Sequence, residues 1–162
     1  MIDKKQKRKR TQLDDKESLQ YILGSLEIAI EYLENYTLEE FENELKVQDA
    51  VCHRFYCIGI VASDISEEFR SKYKDFPWYS YTYWIIGSDP DIIWDLNKGN
   101  HHGSHDFESI ESLFFELEKI YLKEFFPDKA ISSNKFDKMK SWPKEHKYPI
   151  KSNKSIWTVK KR

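Results

Sequence analysis

A chain of 162 residues that is 40% apolar and 15% aromatic is long enough for one domain with a substantial core. Its 33% charged residues call for long solvated helix faces. No apolar run approaches the ~20 residues that cross a bilayer, and no apolar stretch follows the charged N-terminus as a secretion signal requires. A cytoplasmic location without membrane contact is therefore expected. The net charge of −2 conceals a strong asymmetry. Residues 1–10 carry six Lys/Arg against one acid, residues 128–162 eleven against three, and the body between them nine against twenty-four. The expected organisation is a basic leader (1–10), a helical body (11–127) and a basic, mostly irregular C-terminal arm (128–162). Such arms can bind a phosphate backbone, fold back on the acidic body, or stay solvated.

The first helix is predicted from about Asp14 to Asn35. Leu19, Ile22, Leu23, Leu26, Ile30 and Leu33 recur at three- and four-residue steps on one stripe, with Glu27, Glu31 and Glu34 off it. Thr37-Leu38-Glu39-Glu40 reads as a capping box. It opens a short helix through Leu45 that carries Leu38, Phe41 and Leu45. A second long helix is predicted from Val47 to Phe69, with Val51, Phe55, Ile58, Ala62 and Ile65 continuing its stripe. Pro77 suits the first turn of a third helix bearing Trp78, Tyr81, Trp84 and Ile85. Gly87-Ser88-Asp89-Pro90 interrupts that helix, and Asp89 can cap a short restart from Pro90 to Leu96. After a Gly/Asn/His-rich loop over 97–105, Asp106 can cap the last long helix, which ends near Phe126. Its apolar face is Phe107, Ile110, Leu113, Phe114, Leu117, Ile120, Tyr121 and Phe125. Ile156-Trp157-Thr158-Val159 is an apolar island in the basic arm, expected to dock on its own domain. The predicted fold is an all-α, four- to five-helix up-and-down bundle with irregular basic tails.

Candidate chemistry is sparse. Cys52 and Cys57, five apart on one helix, are not placed for a disulfide, and no His stands at metal-binding spacing from them. His101, His102 and His105 lie beside Asp106, but the run is interrupted by Gly and lacks a supporting helical motif. No Gly-rich phosphate loop is present. Neither a metal nor another cofactor is expected. Trp78, Tyr79, Tyr81, Tyr83 and Trp84 can stack bases or pack the two faces of a helix.

Asp49-Ala50-Val51, Arg54, Ile58-Gly59 and then Pro77-Trp78, with Phe41 in a preceding short acidic helix, resembles the HepT-like branch of the HEPN superfamily over roughly residues 17–126. The resemblance implies an all-α bundle that often dimerises and is often a toxin in a toxin–antitoxin pair. Such proteins cut RNA without metal through an Arg-x4-His motif after Pro-Trp, and a partner nucleotidyltransferase silences them on a nearby Tyr. An Arg at that place would stabilise charge on the scissile phosphate, and a His would shuttle the proton. Aligned on Gly87, this chain instead has Asp89 for the Arg, Pro90 for the Asn, Trp94 for the His and Leu96 for the Tyr.

The expectation is thus a catalytically degenerate protein that acts by binding in a toxin–antitoxin, immunity or defence-type system. Its partner would be a nucleotidyltransferase, toxin or antitoxin, or a second copy of the chain. Trp78, Tyr81, Trp84, Asp89 and Trp94 are the expected contact residues. One alternative is a metal-independent endoribonuclease with a rearranged site, drawing on His101, His102 or His105 with Arg54 or Arg70. Another is an RNA-binding module that uses the basic arms.

Overall fold

The computed structural model describes residues 8–10, 12–78, 90–98, 109–128, 148 and 157–159, the last strand and residues 8–10 by their backbone. Six helices are found among them, two more than the smaller number expected. These are α1 (Asp15–Glu34), α2 (Leu38–Asn43), α3 (Leu45–Ala62), α4 (Glu67–Lys72), α5 (Pro90–Lys98) and α6 (Ile110–Phe125). They form an all-α bundle. Its one departure is a short antiparallel ladder in which β1 (Arg8–Arg10) pairs with β2 (Trp157–Val159). The tails predicted to be irregular therefore contribute two strands. The predicted helix that starts at Pro77 lies, after Trp78, outside the described residues, as do Tyr81, Trp84, Asp89, His101, His102, His105 and Asp106. Among the described residues no helix is long and apolar enough to cross a membrane.

Helix α1 is the middle of the bundle, packed between α3 and α6. The Asp14 carboxylate caps it by accepting from the Glu17 N–H at 2.8 Å. All six predicted stripe residues are buried, and Ser18, Gly24, Ser25 and Ala29 are buried with them. The small residues let neighbouring backbones approach a helix that is covered on most of its circumference. The capping box at Thr37 forms as the residue types require. The Glu40 N–H donates to Thr37 Oγ1, and Glu40 Oε2 accepts from the Thr37 N–H at 2.8 Å. The boundary after it differs from expectation. Glu44 separates α2 from α3, so Leu45 opens α3 at 68% exposure instead of closing α2, and Leu38 is exposed as well.

The second long helix is in fact two. α3 ends at Ala62, and Ser66 caps α4 by accepting from the Phe69 N–H. The apolar rhythm Ala62, Ile65, Phe69 runs through the break because all three stay buried, so periodicity alone does not reveal it. The break is held chemically from both sides. Asp15 of α1 accepts from the Ser66 backbone N–H and from its hydroxyl, both at 2.7 Å. Arg70 Nη2 reaches back to donate to the Ala62 carbonyl at 2.7 Å, satisfying an acceptor that a helix C-terminus leaves open. The last helix is likewise shorter than expected, because Ser109 rather than Asp106 caps α6 by accepting from the Ser112 N–H.

α4 is clamped to the C-terminal turns of α6. Phe69 stacks on Phe125 with centroids 6.1 Å apart and an interplanar angle of 5°. Glu124 accepts from Lys72 Nζ and, at 2.7 Å, from the Tyr73 hydroxyl. These bonds hold the Glu124 carboxyl below the usual carboxylate range. Desolvation, with the adjoining carboxylate, pushes the Tyr73 hydroxyl up to about 12. At the other end of α6 the sign is opposite. Burial, with the nearby Glu34 charge, raises Glu111.

The two glutamates make a paired prediction. A depressed folded pKa stabilises above the usual carboxylate value and loses that contribution as pH falls; a raised one penalises folding as pH rises through it. Glu124→Gln is therefore expected to lower Tm at pH 7 and Glu111→Gln to raise it. Both differences should shrink toward zero as pH falls below about 4, which thermal melts of the two variants across that range measure.

Candidate functional site

α5 is the helix on which the resemblance would place the catalytic residues. Pro90 is its first residue, where a missing N–H costs nothing. One turn later Ile93 and Trp94 are buried among α1, α3 and α6. Trp94 is only 5% exposed and stacks on Phe41 of α2, with centroids 5.0 Å apart and 23° between planes. The position that would hold a proton-transferring imidazole is thus a core position filled by an indole. On the outer face, Asp91 and Asp95 are exposed and four residues apart, so they share one side of the helix. A pair of carboxylates there opposes a phosphate backbone.

The remaining predicted residues are placed as follows. Trp78 is buried, its Nε1–H donates to the Tyr73 carbonyl at 3.0 Å, and its ring packs on Phe76 and Phe69. In this chain Trp78 and Trp94 therefore pack inward. Arg70 is engaged with the Ala62 carbonyl. Arg54 is half-buried on α3 beside Tyr21 and Cys57 and favours their anions, but burial wins at both. Desolvation, then the Cys57 sulfur, pushes the Tyr21 hydroxyl up to about 12, and desolvation pushes the Cys57 thiol up. His53 Nε2 lies 3.5 Å from Cys57 Sγ, yet a buried thiol of raised pKa is a poor nucleophile. Neither Cys52 nor Cys57 is in a disulfide. Among the described residues no group of three or more His, Cys, Asp or Glu is placed to hold a metal ion.

One constellation was not anticipated. Glu27 of α1 and Glu118 of α6 are 1% and 3% exposed, and a residue of the basic arm joins them. The Tyr148 N–H donates to Glu27 Oε2 at 2.8 Å and its hydroxyl to Glu118 Oε1 at 3.0 Å. Its ring meets Tyr121 and Phe114 edge-on, with centroids 5.5 and 6.1 Å away. Burial, then the Glu118 charge, pushes the Tyr148 hydroxyl up, so it stays a donor. The spacing did carry a signal for the acids. Glu27 lies four residues after Leu23 and three before Ile30, and Glu118 bears the same relation to Phe114 and Tyr121. Both occupy stripe positions, which corrects the expectation that Glu27 lies off the α1 stripe with Glu31 and Glu34: it is buried there. Nothing local marks Tyr148 as their partner.

With this geometry, comparison with known proteins is informative. The chain is 32% identical over 92 residues to a Methanocaldococcus jannaschii protein named a gamma-glutamylcyclotransferase and "putative RNase", covering 52% of this chain and 41% of that protein. It is 27% identical over 106 residues to a second protein of that organism named a "putative RNase", covering 60% of this chain and 84% of that protein. The chain thus spans about two fifths of the first relative and most of the second. No family model and no solved structure matches it. The chain is a distant homologue of these archaeal proteins, consistent with a HEPN-like superfamily.

Two substitutions probe the site. Trp94→His puts an imidazole at the aligned position, but within a packed core. It is expected to cost about 2–4 kcal/mol in urea unfolding and to produce no RNA cleavage. Tyr148→Phe keeps the ring and removes its bond to Glu118, at an expected cost of about 1–3 kcal/mol.

Proposed function

We propose that this chain is a catalytically degenerate, HEPN-like helical protein that acts by binding rather than by cutting RNA. The observation that carries this reading is the burial of Trp94 against Phe41 where a catalytic His would stand. The exposed carboxylates of Asp91 and Asp95 beside it support the same reading, because anions there oppose a scissile phosphate instead of stabilising it. Distant similarity to proteins named for RNase activity supports descent from a nuclease-like bundle.

The finer reading is a HepT-like component of a toxin–antitoxin, immunity or defence-type system. It would engage a nucleotidyltransferase, a toxin or antitoxin, or a second copy of itself. With Trp78 and Trp94 packed inward, the outer face of α5 would supply the contact surface, and Tyr81, Trp84 and Asp89 stand as contact residues proposed from the sequence alone.

Incubating the purified chain with single-stranded RNA in EDTA is expected to leave the RNA whole. Metal-independent cleavage that disappears in His102→Ala would overturn the proposal in favour of a rearranged ribonuclease site.

A further inference from the structure

We infer that Tyr148 is a latch: its docking on the buried Glu27–Glu118 pair sets whether the leader and the arm pair as β1 and β2. The inference goes beyond the functional reading above and holds whether or not the chain binds RNA. The ladder by itself is slight. It pairs Arg8, Lys9 and Arg10 with Val159, Thr158 and Trp157, and two strands of that length are at best marginally stable in water on their own. Its persistence therefore depends on how closely each strand is tethered to the bundle. Four residues (11–14) separate β1 from the start of α1. Eight residues (149–156) separate β2 from Tyr148.

Tyr148 is held from two helices at once. Its N–H donates to Glu27 Oε2 of α1 and its hydroxyl to Glu118 Oε1 of α6, while its ring meets Phe114 and Tyr121. Withdrawing it takes a donor from each of two carboxylates that are almost wholly buried, which is costly. The strong contact is thus at Tyr148 and the weak one at the ladder, so release of Tyr148 loosens the ladder with it. Chain lengths give the size of the coupling. With Tyr148 docked, bringing β2 to β1 closes a run of eight residues from a fixed point. With it released, the run extends back to Asp128 beyond α6, 28 residues (129–156). The cost of closure grows as (3/2)RT ln n, so a run about 3.5 times longer lowers the pairing equilibrium about sixfold. By linkage, loss of the ladder weakens Tyr148 docking by the same factor. The latch thereby decides how firmly Arg8, Lys9 and Arg10 are held on a strand.

Amide hydrogen exchange at residues 8–10 and 157–159 of the full chain tests the latch. Inserting eight Gly/Ser residues after Asn153 doubles the run between latch and ladder and is expected to speed ladder exchange about threefold. The same insertion after Ser133, on the other side of Tyr148, is expected to leave it unchanged. Tyr148→Ala is expected to speed ladder exchange about sixfold. Val51→Ala, a core substitution on α3, should leave it unchanged, and circular dichroism establishes that the helices persist in each variant. Should Tyr148→Ala not fold, the two insertions, which alter none of the described contacts, still decide the matter. Equal acceleration by the two insertions would mean that the ladder is tethered through the whole arm, and would overturn the latch. So would unchanged ladder exchange in a folded Tyr148→Ala chain, an equal rise in Val51→Ala, or ladder amides that exchange without protection in the unaltered chain.

Discussion

Stacking of the Trp94 indole on the Phe41 ring ties α5 to the short helix α2, and the chemistry open to the protein depends on it. An indole so placed excludes water and offers no proton acceptor. It also fixes which face of α5 is outward, and that face carries Asp91 and Asp95. One core contact thus leaves this position without a proton-transferring group and turns the carboxylates of Asp91 and Asp95 outward. Pro90 at the first position of α5 completes the arrangement, since its fixed φ favours starting a helix there.

Around that contact, α1 organises the bundle. It is covered by α3 and α6 and contacted by α5, and its first turn is tied by contacts that apolar packing alone would not specify. Asp15 holds the α3–α4 break through Ser66, and the Lys16 ammonium lies 4.8 Å from the Phe126 ring centroid. In the middle of the helix, Glu27 takes the Tyr148 N–H into the interior. A buried carboxyl in an apolar stripe is costly unless it is bonded. The Tyr148 N–H is the structural answer to that cost, and it holds this one residue of the basic arm against α1 and α6.

The helical periods of α1 and α6 were legible because their stripes are buried nearly throughout, and the Thr37 box was legible because its residue types permit few other geometries. The α3–α4 break was hidden because Ala62, Ile65 and Phe69 keep a helical rhythm across it; Ser66 followed by two glutamates was the available sign. Leu45 misled because an apolar residue at a helix start need not be buried. Trp94 was expected at a contact surface and was not legible as a core residue, since its partner Phe41 lies in a separate helix. Glu27 and Glu118 stood in apolar register and could have been flagged. Tyr148 and the β1–β2 pairing depend on contacts between segments more than a hundred residues apart, which local pattern does not encode.

The central claim is that a helical frame similar to RNase-named proteins has been turned from cutting to binding by what fills the Trp94 position. Native mass spectrometry of the chain mixed with an RNA oligonucleotide in EDTA tests it most directly. The account predicts that the oligonucleotide retains its full mass after prolonged incubation. Recovery of shortened RNA, with a fragment pattern reproduced by independently purified protein, would contradict it.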